Sequence, residues 1–193
     1  MGVRIDPNDP RRCHSCLLIS RLCVCTDVPT VITSVDFLII RHWKERYKAS
    51  NSARLSAAAI RNACIVDYGA PESKWDPNTI CVPSPVLLFP DPDAPPLPYK
   101  PQTVIVVDGS WPQARKMIHR IPGLAELPRL KISPPTTPRR RLRMPPAPGG
   151  VSTMEAIAQA IEVIDGAGSG SALNRFYDEF VRASLTAKGT TLG

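Results

Sequence analysis

The sequence lacks any long hydrophobic run, and its apolar stretches are no longer than a single β-strand. A helix that crosses a bilayer needs about 20 apolar residues, so no membrane span is predicted. The segment from Met1 to Arg12 is polar and lacks the apolar core of a secretory signal. These absences predict a cytoplasmic protein with no membrane partner, in a compartment where cysteines stay reduced.

Acidic residues are also scarce relative to basic ones. The 193 residues include 24 Lys and Arg but 17 Asp and Glu, which gives a formal net charge of +7. An excess of this size favours a polyanionic partner, most simply a nucleic acid. Charge by itself is equally compatible with a basic soluble protein that binds no nucleic acid. The length fits one domain with a hydrophobic core and a small appendage.

Four of the six cysteines lie close together, at Cys13, Cys16, Cys23 and Cys25. Their C-x2-C-x6-C-x-C spacing allows four thiolates to surround one tetrahedral zinc ion, which would order a small loop. Such a zinc would be structural, because four thiolates leave no open position on the metal. Disulfides are the weaker interpretation, since Cys23 and Cys25 are too close to pair comfortably and the compartment is reducing. His14 is a competing ligand.

The central strand–helix unit begins with residues 103–107, an uninterrupted run of β-branched residues. This pattern predicts a strand that is buried on both faces of a sheet. After it, Ser110 and Gln113 form a capping box that predicts the start of a helix. Asp108 and Trp111 therefore lie at a strand's carboxyl end beside a helix N-terminus, where open α/β proteins bind ligands. A turn-capping Asp108 and a core Trp111 are the purely structural alternative.

The rest of the chain alternates between strand and helix patterns, which predicts an α/β fold. Strand patterns cover 35–40 and 64–68, helix patterns cover 53–62 and 171–188, and residues 124–132 predict a turn and a short strand. Ser152 and Glu155 form a second capping box at the start of another helix. The proline-rich residues 70–103 predict no domain boundary, because the next strand follows closely. Cys64 and Cys81 are expected in the core.

These motifs together resemble the DTW-domain family over roughly residues 11–165. The matching residues are Asp108 and Trp111 of D-x-x-W, His42 and Glu45 of H-x-x-E, Ser152, Thr153, Glu155 and Ala156 of S-T-x-E-A, and the four N-terminal cysteines. The chain departs from the family pattern at Trp43, which replaces a proline, and at Arg140, which replaces an aromatic residue. The first departure affects a turn, and the second removes an aromatic ring that a ligand could stack on.

The resemblance implies both an architecture and a reaction. DTW proteins are tRNA-uridine aminocarboxypropyltransferases related to SPOUT methyltransferases. The implied fold is α/β, with a SPOUT-like parallel sheet, a C-terminal trefoil knot and a small N-terminal segment that binds zinc through four cysteines. The implied domains are 1–30 and 31–193, and the knot loops are Phe89–Ala94, Asp108–Trp111 and Met144–Thr153. The implied activity moves the 3-amino-3-carboxypropyl group of S-adenosylmethionine to N3 of a tRNA uridine, which gives acp3U.

The same resemblance assigns candidate site residues. Asp108 is the expected general base or orienting group, and Trp111 the expected support for the target base or the cofactor. The expected cofactor-binding residues are Phe89, Pro90, Asp93, Ala94, Val107, Gly109, Ser110, Ser152, Thr153 and Glu155. The expected RNA-binding residues are His42, Lys44, Lys48, Arg54, Arg115, Arg140, Arg141 and Arg143. The helix starts at Ser110 and Ser152 offer free N–H groups that suit the methionine carboxylate.

Other interpretations stay open at this point. Residues 42–48 interleave basic and aromatic side chains, which suits phosphate contact and base stacking but also fits a solvated charged loop. A SPOUT-type RNA methyltransferase would use the same cofactor and give a lighter product. A zinc-containing RNA-binding module without catalysis would explain the cysteines and the charge, and it would need no cofactor pocket.

Overall fold

A four-stranded parallel sheet forms the centre of the protein. The structure, a computed structural model, describes residues 4–91, 93–133, 139–143 and 150–189. The strands are β1 (Asp36–His42), β2 (Ala63–Tyr68), β3 (Pro85–Leu88) and β4 (Thr103–Asp108). Their order in the sheet is β2-β1-β4-β3, and each neighbouring pair is parallel. The predicted α/β fold with a parallel sheet is therefore confirmed.

Burial along its entire length distinguishes β4 from the other three strands. All six of its residues are buried, as the run of β-branched residues predicts. Successive side chains point to opposite faces, so Val104 and Val106 pack in one hydrophobic cluster while Ile105 and Val107 pack in another. The strand thus holds two hydrophobic cores together and carries Asp108 at its carboxyl end.

Helices cover both faces of the sheet. They are α1 (Ala53–Ala59), α2 (Trp111–Arg120), α3 (Thr153–Asp165) and α4 (Ser171–Thr186), with short 3-10 helices at Ser20–Leu22, Cys25–Asp27, Trp43–Glu45 and Pro77–Ile80. Buried residues of α1, α3 and α4 belong to one core cluster, whereas those of α2 belong to the other. None of the helices in the described ranges combines the length and apolar character needed to cross a bilayer.

The connections diverge at the carboxyl ends of the two central strands. The chain leaves β1 towards α1 on one face and leaves β4 towards α2 on the opposite face. These strands are neighbours, with Arg41 opposite Asp108 at their ends. Such a divergence opens a crevice above the sheet edge, and ligands of open α/β proteins bind there.

The cysteine segment packs directly on the α/β core. Cys16, Leu18 and Val24 are buried in the cluster that also contains residues of α1, α3 and α4. Near the N-terminus, the N–H of Ile5 donates to the carbonyl of Tyr47 at 2.7 Å. The order of this segment is therefore coupled to that of the sheet and its helices.

Several sequence expectations were wrong in detail. Cys64 and Cys81 are exposed rather than buried, because Cys64 lies on the edge strand β2 and Cys81 follows a surface 3-10 helix. The α1 helix ends at Ala59 and does not reach the predicted end at residue 62. Residues 124–132 form turns and a single bridge between Arg129 and Leu87 in place of a strand. The proline-rich stretch contains β3, whose one-sided pairing with β4 tolerates flanking prolines.

Candidate active site and metal centre

Two adjoining cavities open where β4 meets the N-termini of α2 and α3. The smaller, of about 90 Å³, is largely apolar and is lined by Leu88, Phe89, Pro90, Val106, Val107, Gly109, Trp111, Ala114, Ile132, Val151, Ser152, Thr153 and Ala156. The larger, of about 300 Å³, is lined by Ser50, Asn51, Ser52, Asp108, Gly109, Ser110, Trp111, Pro112, Arg141, Leu142, Arg143, Val151, Ser152, Thr153 and Tyr177. Because several residues belong to both walls, one elongated ligand can extend from an apolar end to a charged end.

Asp108 is a buried carboxyl group at the floor of the larger cavity. Thr153 Oγ1 donates to its Oδ1 at 2.6 Å, and Asn51 Nδ2 donates to its Oδ2 at 2.6 Å. Burial raises the pKa of Asp108 above its ordinary value, and these two donors oppose that rise. The group is held in a fixed orientation and retains a proton at a higher pH than a solvated aspartate would.

Both helix starts beside the cavities are stabilised by the predicted capping boxes. The N–H of Ser110 donates to Gln113 Oε1 at 2.7 Å. The N–H of Ser152 donates to Glu155 Oε2 at 2.8 Å, and Ser152 Oγ accepts from the N–H of Glu155 at 3.3 Å. Two helix N-termini therefore face the same space, and their dipoles favour a negative ligand there.

Two arginines on one wall of the larger cavity are each held by a buried carboxylate. Arg141 Nε lies 2.9 Å from Glu155 Oε2, and Arg141 Nη2 lies 2.9 Å from Glu155 Oε1. Arg143 Nη2 donates to Glu45 Oε2 at 2.8 Å, and its Nε donates to Ser50 Oγ at 2.7 Å. Residues 141–143 are thus fixed between the loop after β1 and the start of α3.

The loop that follows β1 is held by a network of charged side chains. Glu45 is buried and accepts a hydrogen bond from Lys48 as well as from Arg143. Arg54 Nη2 donates to the carbonyls of Arg46 and Lys48, at 2.7 and 3.0 Å. Burial lowers the pKa of Arg54 to about 10. Lys48 and Arg54 are therefore engaged in bonds within the protein, which makes them less available to an external anion.

The structure gathers most of the expected cofactor-binding residues and leaves others aside. Phe89, Pro90, Val107, Gly109, Ser110, Ser152 and Thr153 line the cavities. Glu155 lies behind the wall, where it holds Arg141. Among the described residues, Asp93 and Ala94 belong to neither wall. Pro92 and the portion 144–149 of the expected third knot loop lie outside the described residues.

The expected RNA-binding residues differ in how much of each side chain is available. Lys44, Arg115 and Arg140 are exposed, whereas His42, Lys48, Arg54, Arg141 and Arg143 are partly buried. His42 Nδ1 accepts from the N–H of Lys44 at 3.2 Å, which caps the short helix that follows. These three exposed side chains are the part of the set that is most accessible to a phosphate backbone.

Asn51 is the residue of this site that sequence reasoning missed. Its position just before the helix pattern at 53–62 indicates only a helix cap, whereas its side chain is buried and donates a hydrogen bond to Asp108, which lies far along the chain. Within the described part of the chain its Oδ1 has no hydrogen-bond partner. No local pattern joins the two residues, because their contact arises from the pairing of β1 with β4.

The four N-terminal cysteines converge on one point. Their sulfur atoms all lie within 4.8 Å of one another. The Sγ atoms of Cys13 and Cys25 are 3.6 Å apart, and those of Cys16 and Cys23 are 3.8 Å apart. A tetrahedral zinc with Zn–S bonds of about 2.3 Å requires sulfur atoms separated by about 3.8 Å. The four residues therefore fit a zinc ion.

The environment of these thiols favours a bound cation. Burial disfavours the thiolate of Cys13, but backbone N–H groups of Cys16 and Ser15 donate to it, and its pKa falls to about 6. Burial and the neighbouring sulfur atoms raise the pKa of Cys16 and of Cys25. One thiolate thus opposes ionisation of the others, and a divalent metal removes that opposition.

The fold and site define a class of α/β domain with two adjoining cavities at the carboxyl end of a central strand of a parallel sheet. The chain belongs to the DTW-domain family, because the model of the DTW domain matches residues 10–185. This match contains every strand and the two cavities.

Three curated relatives share the name tRNA-uridine aminocarboxypropyltransferase 2. The Drosophila melanogaster protein is 26% identical over 183 residues, which cover 86% of this chain and 71% of the relative. The Macaca fascicularis and Mus musculus proteins are each 27% identical, covering 83% and 85% of this chain but only 59% and 60% of the relatives. The chain thus spans about 60–70% of the lengths of these relatives. No solved structure matches this chain.

Proposed function

We propose that this protein is a tRNA-uridine aminocarboxypropyltransferase that uses S-adenosylmethionine and modifies N3 of uridine. The observation that carries the proposal is the position of Asp108, a buried carboxyl group on the wall of the larger cavity, which also carries two arginines and adjoins the apolar cavity. The names of the curated relatives support the reaction and the tRNA substrate.

The paired cavities suit a donor with an apolar end and a zwitterionic end. Phe89 and Trp111 place their ring centroids 5.8 Å apart beside the smaller cavity, and such a wall can enclose an adenine ring. The larger cavity offers arginine side chains and helix N-termini to the amino-acid end. Thr153 and Gly109 lie on both walls, where the sulfonium centre would join the two ends.

The reaction requires a proton acceptor close to the target base. S-adenosylmethionine supplies a sulfonium-activated carbon; the N3–carbon bond forms as the carbon–sulfur bond breaks, and the leaving nucleoside keeps the bonding electrons. The proton on N3 must be removed, and in this proposal the Asp108 carboxylate accepts it. A raised pKa makes Asp108 a stronger base than a solvated aspartate. Asn51 and Thr153 are positioning residues for that carboxylate.

Exposed basic side chains around the crevice would bind the tRNA backbone. Lys44 lies on the loop after β1, Arg115 and Lys116 on the first turns of α2, and Arg140 beside the wall of the larger cavity. Because these groups come from three separate segments, we expect a strand of RNA to contact several of them and to cross the crevice with a base directed inward. The zinc centre has no part in the chemistry of this proposal and serves to order the N-terminal segment.

Mass analysis of nucleosides tests this proposal most directly. Unmodified tRNA is incubated with the full chain and S-adenosylmethionine, digested, and examined for a heavier uridine. We expect a mass gain equal to one aminocarboxypropyl group and release of 5′-methylthioadenosine. A gain of one methyl group, with S-adenosylhomocysteine released, would instead establish a methyltransferase. Binding of tRNA without binding of 5′-methylthioadenosine or S-adenosylhomocysteine would indicate a non-catalytic RNA-binding module.

A further inference from the structure

We infer that Arg141 and Arg143 form a carboxylate subsite that binds the α-carboxylate of the donor's aminocarboxypropyl group. This inference rests on the function proposed above, and it assigns these two residues to the small substrate rather than to the RNA. Both side chains lie on the wall of the larger cavity, together with Asp108 and the start of α3.

Each of the two guanidinium groups keeps unused donors. Arg141 donates from Nε and Nη2 to Glu155, whereas Arg143 donates from Nε to Ser50 and from Nη2 to Glu45. Among the described residues, the Nη1 groups of both arginines donate to no protein atom. A guanidinium presents its five N–H groups in one rigid plane, so fixing one edge on the protein leaves the opposite edge available for a carboxylate.

The supporting carboxylates hold the two arginines in place before a ligand arrives. Glu155 and Glu45 have side chains that are 2% and 1% exposed, while those of Arg141 and Arg143 are 16% and 35% exposed. Exposed arginines lose side-chain entropy when they bind an anion, and these two have already lost most of it on folding. The arrangement is that of a built anion subsite with one open side.

The local charge matches a single anion. Arg141, Arg143 and Lys48 contribute three positive charges, and Glu45 and Glu155 contribute two negative ones. One net positive charge remains on this group of five side chains, which a monocarboxylate neutralises, while an ionised Asp108 on the same wall balances the ammonium group of the donor. The N-terminus of the 13-residue helix α3 adds to the attraction for the carboxylate.

The charge distribution also sets the orientation of the donor. Asp108 bears the opposite charge when ionised, and Asn51 Oδ1 beside it is an acceptor without a partner among the described residues. The ammonium group of the donor is attracted to this end of the cavity, and its carboxylate to the arginine end. Such an orientation places the carbon chain of the aminocarboxypropyl group along the cavity between the two ends.

The decisive experiment compares two nucleosides whose sulfur carries either the aminocarboxypropyl group or a methyl group. Isothermal titration of the full chain would measure S-adenosylhomocysteine, which contains the aminocarboxypropyl group, and 5′-methylthioadenosine, which lacks it. We expect the wild type to bind the first more tightly. In Arg143→Gln and in Arg141→Gln, affinity for S-adenosylhomocysteine should fall about 10–100-fold, the usual effect of losing a charged hydrogen bond. Affinity for 5′-methylthioadenosine should stay the same, which also shows that the variants are folded.

Arg139→Gln provides a matched control. Arg139 lies on the same segment and pairs with Asp178 of α4, outside both cavity walls, so its loss should leave both nucleoside affinities unchanged. Equal loss of both affinities in the Arg141 and Arg143 variants would overturn the carboxylate subsite. Unchanged nucleoside affinities with weakened tRNA binding would overturn it in favour of phosphate contact. A wild type that binds both nucleosides equally would remove the subsite but keep the proposed donor, whereas one that binds neither would remove both.

Discussion

At the scale of single residues, the burial of the Asp108 carboxyl group is not explained by stability. A carboxylate in a buried position costs free energy, and here two neutral hydrogen-bond donors and the charge of Arg143 oppose that cost without cancelling it, because the pKa of Asp108 stays raised. A fold has little reason to keep such a group where an asparagine would serve. The energetic penalty therefore points to a chemical role.

Asp108→Asn should separate chemistry from stability. The amide accepts from Thr153 through its oxygen and donates to Asn51, whose side chain can turn its Oδ1 inward. The fold and the affinity for S-adenosylhomocysteine should persist, because the shape of the side chain is unchanged. Transfer should decrease by about 10²–10⁴-fold, the usual contribution of a general base. Single-turnover assays with thermal unfolding curves would measure both effects.

Thr153→Val is a control for this substitution. It removes one donor to Asp108 without removing the base, so transfer should fall far less than in Asp108→Asn. Full transfer by a folded Asp108→Asn protein would show that this carboxyl group only caps a turn.

The dependence of transfer on pH should reveal the raised pKa of Asp108. Transfer needs the ionised carboxylate, so kcat/KM should decrease as the pH falls through its pKa, above the ordinary aspartate value of 3.8. Stability has the opposite sign: the contribution of Asp108 is fully present below its unfolded-state pKa and is lost as the pH rises through the folded-state pKa. A pH–rate profile would measure the first effect, and an acid limb at the ordinary aspartate value would contradict it.

At the scale of elements, the junction between α3 and α4 sets the position of the cavity wall. Ser152 and Thr153 begin α3, and Tyr177 of α4 lies on the same wall. Gly170, just before α4, approaches the backbone of α3 so closely that a Cβ there would lie 2.3 Å from the carbonyl oxygen of Ala158. Its φ of −83° is ordinary, so this glycine is required by contact rather than by conformation.

Gly170→Ala should therefore destabilise the protein through a steric clash. The carbonyl belongs to the backbone of α3 and cannot move by a change of rotamer, so the two helices must separate. We expect a loss of about 1–3 kcal/mol in the free energy of unfolding, typical of overpacking. Denaturant titration would measure it. The neighbouring Ser171→Ala, which enters no such contact, should change stability by less than about 0.5 kcal/mol, and equal effects of the two changes would contradict the steric argument.

At the scale of the whole molecule, the cysteine segment and the α/β core share buried residues. Cys16 is fully buried in the cluster that contains α1, α3 and α4. A metal that orders this segment consequently contributes to the stability of the entire chain.

Removal of the metal should lower the unfolding temperature. We expect purified protein to contain one zinc per chain, and a strong chelator or Cys16→Ser to remove it and destabilise the fold. Metal analysis combined with thermal unfolding would measure both. Cys64→Ser is the matched control, because its thiol is exposed and lies outside the cluster. A stoichiometric loss of zinc without any change in unfolding would show that the metal contributes nothing to the stability of the fold.

The net charge of +7 should appear in the salt dependence of tRNA binding. Affinity should fall steeply with salt, since each neutralised phosphate releases a counterion. Replacing the exposed Arg115 and Lys116 by Gln should weaken binding and lower the slope by about one for each lost contact. Fluorescence anisotropy over a salt series would measure this. Arg182→Gln, on α4 beside the cysteine segment, should leave the slope unchanged, and an equal loss there would mean that the RNA crosses a different face.

Local chemistry made much of the fold predictable. The β-branched run at β4 and the capping boxes of α2 and α3 depend on neighbours within a few residues, and all three are confirmed. The cysteine spacing predicted a cluster, and the sulfur atoms do converge. The errors at Cys64 and at residues 124–132 arose where burial depends on which strand lies at a sheet edge.

By itself, the sequence determined the α/β class, the thiol cluster and the place of Asp108 at a strand end, because each follows from short-range sterics, capping and spacing. Only the tertiary structure decided what surrounds Asp108. Its donor Asn51 lies between β1 and α1, and its donor Thr153 is the first residue of α3. Glu155 and Glu45 hold Arg141 and Arg143 at the wall of the same cavity. Such contacts depend on strand order and helix packing, which join residues far apart in the chain, and no local pattern encodes them.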